Sequence, residues 1–365
     1  MNINKWTVAL AAAGVVSLAS VTNAQEAKET VKTLAASTTL SGYVSTSVNW
    51  TPSSTAGVQS YFANSGKNDR IALDVISLTL ASKAGEGEWA AGYKAQIWAG
   101  PDAASLGTAD SGADFAIKNA YISLRAPLGS GVDLKLGVFD TIIGYESTDR
   151  NVNPFYSHSW GFSVEPTQHT GLLASYRVSD SISLSVGIAN TTDAVINGAA
   201  TNNSRKTYMA AATLTAPASF GFLSGTSVTA GWVSGRANGG STSTDSLYVG
   251  GSIPLPIKDL SLGLALDNLG RDNLADTSVI AAYLSYKVSD KLTAAARVEY
   301  LDVGVTTVGA TAVGREALST TIGLDYKLWA NVISRLEYRL DTSADSEVNG
   351  RKHNHAVIAN VIYNF

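Results

Sequence analysis

One stretch of this 365-residue chain gathers most of the side chains that could do chemistry. Between positions 144 and 170 stand Glu146, Asp149 and Glu165, the serines Ser157 and Ser159, and His158 and His169, interleaved with Tyr145, Phe155, Tyr156, Trp160 and Phe162. Carboxylate, imidazole and hydroxyl together are the parts of a serine hydrolase. Neither serine lies in a nucleophile-elbow pattern, however, and a short polar loop brings such residues together by chance. Carboxylates have a second use: facing a narrow aqueous passage, they set its field and sort solutes by charge. Their counterparts would be Lys94, Arg125, Lys135, Arg177, Arg297, Arg335 and Arg339, each on the polar face of an alternating segment. The other reading of these bases is mutual neutralisation, with Arg335, Glu337, Arg339, Glu299 and Asp325 pairing across neighbouring strands.

Other chemistry finds little footing. His353-Asn354-His355 puts two imidazoles close together, but no further ligand set accompanies them, so a solvated loop is the simpler reading. Cysteine is absent, which removes disulfides and thiolate sites, and nothing in the sequence asks for a cofactor. With 26 Lys and Arg against 30 Asp and Glu, no basic stripe exists to hold the phosphates of a nucleic acid.

The elements that must position the charged residues are strands. In Leu292-Thr293-Ala294-Ala295-Ala296-Arg297-Val298-Glu299-Tyr300 and Val332-Ile333-Ser334-Arg335-Leu336-Glu337-Tyr338-Arg339-Leu340, one face is apolar and the other carries the charges. Period-two alternation with mid-strand charges on one side suits a wet lumen and a lipid exterior. Sixteen such segments are centred near residues 44, 76, 93, 120, 137, 174, 186, 211, 231, 250, 264, 282, 297, 322, 336 and 360. Long connections (51–70, 100–113, 144–170, 191–205, 236–245, 270–276, 304–315, 342–354) alternate with short ones (83–86, 127–131, 179–181, 254–259, 289–291, 329–331, and the looser 217–226). The predicted fold is all-β: a transmembrane antiparallel β-barrel of about 16 strands with long external loops and short periplasmic turns. A barrel of that size is wide enough for an aqueous channel.

Aromatic placement fits this topology. Trp89, Tyr176, Tyr286, Tyr326, Tyr363 and Phe365 collect at one rim, and Trp50, Tyr208, Trp232, Tyr300 and Tyr338 at the other, as two headgroup-level girdles would require. The chain ends on an alternating strand, 356–365, whose edge needs the first strand for closure, because lipid tolerates no open edge. At the other end, Lys5, the apolar run from Trp6 to Val21 and Thr22-Asn23-Ala24 describe a signal peptide over 1–24. Residues 25–37 read as a short periplasmic helix or linker, and 38–365 as the barrel.

At this level of detail the chain resembles the OmpL-like β-barrel porins of bacterial outer membranes. The resemblance rests on Gly137-Val138-Phe139-Asp140-Thr141-Ile142-Ile143-Gly144-Tyr145-Glu146, Asn153-Pro154-Phe155-Tyr156-Ser157 and Glu165-Pro166-Thr167-Gln168-His169-Thr170-Gly171, with Leu40-Ser41-Gly42-Tyr43-Val44 and Lys118-Asn119-Ala120-Tyr121-Ile122-Ser123-Leu124-Arg125-Ala126-Pro127 as weaker support. It implies passive diffusion of small hydrophilic solutes and ions through a lumen narrowed by the loop 144–170, since general porins place their constriction loop after the fifth strand. Expected partners are outer-membrane lipid and lipopolysaccharide, and the barrel-assembly machinery through the C-terminal strand. Homotrimer formation is left open, for the apolar exterior shows no evident subunit patch. The alternative is a structural or surface-interaction barrel with a plugged lumen, acting through its external loops.

Overall fold

The computed structural model describes residues 37–52, 67–85, 87, 89–109, 113–201, 205–272, 274–308, 311–343 and 352–365, with backbone alone over 305–308 and 311–315. The expected leader 1–24 and all but the end of segment 25–37 lie outside the described residues. Sixteen antiparallel strands follow: β1 (Thr39–Trp50), β2 (Arg70–Ser82), β3 (Ala91–Ala99), β4 (Phe115–Ala126), β5 (Val132–Asp140), β6 (Gln168–Ser179), β7 (Ile182–Ala189), β8 (Thr207–Thr215), β9 (Ser227–Arg236), β10 (Ser243–Pro254), β11 (Leu260–Arg271), β12 (Thr277–Lys287), β13 (Leu292–Val308), β14 (Thr311–Trp329), β15 (Val332–Ser343) and β16 (His353–Asn364). Each pairs with its sequence neighbours, and β16 closes on β1. Tyr43 stands opposite Asn364 and Trp50 opposite Val357, and past the last strand residue Phe365 exchanges both backbone hydrogen bonds with Gly42. Closure leaves no unpaired edge, the condition for a sheet to stand in hydrocarbon.

The alternation has the expected sense. Val361 and Tyr363 point outward while Ile358, Asn360 and Ile362 are buried inside, and Leu336 and Tyr338 lie exposed between the buried Arg335, Glu337 and Arg339. Trp50, Tyr208, Trp232, Tyr300 and Tyr338 are exposed toward the long-loop end, and Trp89, Tyr286, Tyr326, Tyr363 and Phe365 toward the short-turn end; Tyr176, also at that end, is half-buried.

Two boundaries differ from the sequence expectation. Instead of a loop over 304–315, β13 and β14 continue as a hairpin to Val308 and from Thr311, with Thr306 paired to Val313. The β-branched run there favours extended backbone. The alternation around Trp89 suggests strand, yet β3 begins only at Ala91. Trp89 takes a left-handed φ of 56° and donates its N–H to the Arg125 carbonyl.

The barrel is not hollow throughout. A buried apolar cluster inside it joins Phe139, Ile143 and Phe155 to Leu173, Met209, Val233, Ala265, Ala281 and Tyr283 on the wall. A second joins Ala103 and Leu106 of the β3–β4 loop to Tyr43, Val75, Trp98 and Ile362. Among the described residues, the loops carrying Ala103 and Phe155 therefore fold inward, and the second, between β5 and β6, is the longer.

Candidate pore constriction

The β5–β6 loop leaves and returns at a closed neck, where Thr141 donates its N–H to the Thr167 carbonyl at 2.9 Å. Gly144 turns the chain with φ +113°, and a Cβ there would stand 2.2 Å from the Glu165 carboxylate, so both geometry and space require glycine. The loop's apolar residues pin it to the wall: Ile143 and Phe155 enter the main cluster, and Tyr145 stacks on Tyr283 at 4.1 Å. Its tip is a 3-10 turn, Arg150–Val152, braced by Ser147 N–H to Asn153 Oδ1 at 2.8 Å and by the Asn153 amide back to the Ser147 carbonyl at 2.5 Å. A short helix, α1 (Trp160–Val164), follows, with the Ser159 hydroxyl accepting from Phe162 N–H at 3.0 Å.

Charged residues of β13 and β15 grip this loop by its backbone. Arg297 donates to Glu146 Oε1 (2.8 Å) and to the carbonyls of Ser157 (2.9 Å) and His158 (3.3 Å), and ion-pairs with Glu299 at 2.7 Å. Arg335 binds Asp325 through two nitrogens (2.6 and 2.9 Å) and the carbonyls of Asn153 (2.7 Å) and Arg150 (3.1 Å). Arg339 donates to the His158 carbonyl at 2.6 Å and to Asp341 at 2.8 Å. Glu337 accepts from Tyr156 N–H at 2.7 Å and from the Ser157 hydroxyl, and Glu299 accepts from Trp160 N–H at 2.5 Å. All three arginines are buried, Arg297 and Arg339 completely. They serve as loop anchors, and the cross-strand pairing weighed from sequence holds for Arg335 with Asp325, which face each other in register.

Electrostatics at the anchor follow from burial. Desolvation would raise the Glu146 carboxyl, but Arg297, His158 and the Ser159 N–H together bring it down to about 2. Burial lowers the His158 imidazole below its ordinary range despite its 3.0 Å contact with Glu146, so it stays neutral at pH 7. Glu165 behaves oppositely: burial, then Asp267 beside it, hold its carboxyl well above the usual range.

On the opposite wall the loop is held by two β-bulges. Between β1 and β2, Ser45 faces Val75 and Thr46 faces Leu73, leaving Asp74 as the extra residue; between β3 and β4, Lys118 is the extra residue. Each bulge turns its charge inward. Asp74 accepts from Ser45, Ser47, Lys67 and the Tyr156 hydroxyl (2.7 Å), while Arg150 bridges to Asp102 at 3.0 Å. Lys118 bonds Asp140 at 2.9 Å and Asp149 at 3.1 Å, and Asp149 also accepts from Gln96 (2.9 Å) and Tyr43 (3.1 Å).

The structure thus brings Glu146, Arg297, Arg335 and Arg339 together, places Asp149 on the β1–β4 side, and sets Glu165 against Asp267. Lys94 and Lys135 face inward on β3 and β5, whereas Arg125 pairs with Asp133 and Arg177 with Asp180 near the short-turn end. Tyr156, Arg150, Asp74, Asp102, Lys67 and Lys118 escaped sequence reasoning as site residues. The bulges were legible in principle. Exposed Ile71 and Leu73 give way to exposed Leu78, and exposed Ile117 to Ile122, each a slip of the apolar phase by one residue. His353 and His355 hydrogen-bond Thr342 and Tyr338 respectively, and among the described residues no cluster of three or more His, Cys, Asp or Glu could hold a metal.

Two polar cavities flank the loop tip. One, about 580 Å³, is lined by Asn151, Val152 and Asn153 together with the hydroxyls of Ser227, Thr229, Tyr248, Ser261, Ser285 and Thr293. The other, about 490 Å³, is bounded by Asn151 and Val152 with Ser77, Thr79, Lys94, Gln96 and Asn364.

A closed sixteen-stranded antiparallel barrel with an apolar exterior and an inward-folded loop after the fifth strand is a porin-type barrel of the bacterial outer membrane. The chain belongs to the family described as putative beta-barrel porin-2, OmpL-like, whose model matches residues 37–365. Solved structures agree on the fold. Salmonella typhi OmpF in complex with daunomycin is 14% identical with a TM-score of 0.63, covering 90% of this chain and 97% of that one. In-vitro folded OmpT of Vibrio cholerae in its trimer form is 14% identical with a TM-score of 0.61, covering 90% and 99%. The anion-selective porin from Comamonas acidovorans is 14% identical with a TM-score of 0.60, also covering 90% and 99%. No curated protein matches the chain.

Proposed function

We propose that this barrel is a water-filled channel for the passive diffusion of small hydrophilic solutes and ions, narrowed by the loop at 144–170. The observation that carries the reading is the loop tip: Asn151 and Val152 line both polar cavities, so the passage is divided where the loop stands. Anchoring supports a fixed constriction, since a loop held at its backbone by three buried arginines and the carboxylates of Glu299 and Glu337 has little freedom to swing away. In this reading Asp149 and Lys94 face the passage, while Glu146, Glu165, Arg297, Arg335 and Arg339 fix its width. Liposome swelling tests it: vesicles containing the barrel should admit small sugars quickly and larger oligosaccharides progressively more slowly, and swelling no faster than in empty vesicles would refute it.

A plugged barrel acting through its external loops is the second reading. It draws support from Ala103, Leu106, Ala194 and Ala200, buried loop residues on the outer side. Swelling separates the two.

We infer further that the exterior sits in lipid and lipopolysaccharide, that the closing strand β16 is the segment offered to the barrel-assembly machinery, and that the barrel assembles as a homotrimer. Small outward residues support a subunit face on β3 and β4, where Ala95 stands opposite Ala120. Chemical cross-linking in native membranes should yield a trimer band, and a band at monomer mass alone would exclude it.

A further inference from the structure

We propose that Lys94 and Lys135, on either side of Tyr121 on the β3–β5 wall, form an anion-attracting step, and that small anions are the solutes this barrel favours. The inference rests on the channel reading above and deepens it.

Glu146 is bound by Arg297, and Asp149 by Lys118, Gln96 and Tyr43. Asp74 and Asp102 are matched by Lys67 and Arg150. Asp325 and Asp341 are matched by Arg335 and Arg339. Two of the three loop carboxylates that sequence alone would have facing the lumen, Glu146 and Asp149, are therefore paired where they stand, and Glu165 stands against Asp267.

Lys94 and Lys135 differ. Among the described residues neither has a carboxylate within ion-pair distance; Lys135 lies over the Tyr121 ring, its Nζ 5.2 Å from the centroid. Register explains the grouping. Tyr121 stands opposite Lys94 across the β3–β4 ladder, and Lys135 stands opposite Ser123, one inward step further along β4. Two strand spacings and a two-residue offset put their backbones roughly 12 Å apart, so a solute between the lysines lies within a Debye length of both at physiological salt. With Lys118 between them and the loop, the wall holds three ammonium groups against the two carboxylates of Asp140 and Asp149. A net positive wall beside a low-dielectric constriction concentrates anions. Lys94 also opens onto the 490 Å³ cavity, where Thr79, Ser77 and Gln96 add polar groups for the rest of a solute.

The test is the reversal potential of the refolded full barrel in a planar bilayer under a KCl gradient, with sodium sulfate titrated calorimetrically into the same protein in detergent. Wild type should show a potential of the sign set by chloride. In K94Q/K135Q the chloride-to-potassium permeability ratio should fall by roughly threefold to tenfold while conductance steps persist. K258Q, which removes an exposed lysine from the β10–β11 turn, should leave the ratio unchanged. A cation-selective wild type, or an unchanged ratio in a folded K94Q/K135Q, overturns the proposal. Complete absence of conductance from folded protein would instead defeat the channel reading. Sulfate then decides the site alone: saturable heat that K94Q/K135Q abolishes upholds it, and no such heat removes it.

Discussion

Arg297 places Nη1 2.8 Å from Glu146 Oε1, joining a wall strand to a loop residue 151 positions away in sequence, and both side chains are fully enclosed. Because Arg297 also satisfies Glu299 and two loop carbonyls, one side chain ties β13 to the loop at Glu146, Ser157 and His158. Removing one partner of a buried ion pair costs about 3–5 kcal/mol, chiefly through the charge left behind. Arg297→Met should therefore lower unfolding stability by that order. The added substitutions Glu146→Gln and Glu299→Gln should recover part of the loss, because the stranded charges go with the arginine. Denaturant unfolding in detergent, with heat-modifiable gel mobility, measures both; equal stability of wild type and R297M would show that the pair does not anchor the loop.

Loop anchoring should also depend on pH, with opposite signs on the two flanks. Glu146 sits at about 2 against its usual 4.5, so its contribution is complete above pH 4.5 and is lost as pH falls through about 2. His158, held neutral below its ordinary 6.5, acts in the same direction, since protons favour the released loop as pH falls below that value. Glu165 reverses the sign. Its raised carboxyl contributes fully below the ordinary carboxylate range, and that contribution is lost as pH rises through its shifted value. Limited proteolysis of the folded barrel should show the loop least accessible at intermediate pH and more accessible at both extremes; a monotonic profile would contradict this.

Two glycines with positive φ separate strain from crowding. Gly144 (φ +113°) has the Glu165 carboxylate where a Cβ would go, whereas Gly239 (φ +66°) has open space. Alanine at either position carries a left-handed penalty of order 1–3 kcal/mol. Only Gly144→Ala should also displace Glu165 and unseat the loop, seen as noisier single-channel current. Quiet current in G144A would mean that the neck does not control the loop.

Most of the barrel was legible in the chain because the two faces of each strand meet different solvents. Each of the sixteen predicted centres falls within a strand, and the closing pair was readable from the terminal alternation. What holds the loop was less legible, for two physical reasons. A bulge breaks strict alternation, so Asp74 and Lys118 fell out of the period-two count although both face the loop. In addition, alternation says that Arg297, Arg335 and Arg339 point inward but not what meets them there. Backbone carbonyls of a distant loop leave no signature in composition, which is why anchors and pore-lining charges looked alike.

The seam makes a further prediction. Gly42 and Phe365 exchange backbone hydrogen bonds of 2.9 and 3.0 Å, and a Gly42 Cβ would stand 2.1 Å from the Ser77 carbonyl oxygen and 2.9 Å from the Phe365 ring. Deleting Phe365 removes both bonds at the short-turn end of the β1–β16 ladder, which closes the barrel. Refolding into vesicles should slow and leave more heat-labile protein, whereas wild-type folding kinetics would show that the last residue is dispensable to closure.

The loop's role as constriction is tested by the single-channel conductance of wild type compared with a variant in which residues 147–157 are replaced by a short Gly-Ser linker, both confirmed as folded by heat-modifiable mobility. Stable ohmic steps are expected for wild type and clearly larger steps for the variant, because the tip that divides the two polar cavities has been removed. Equal conductance would contradict the loop as constriction, and silence from folded wild type beside an open variant would make the loop a plug.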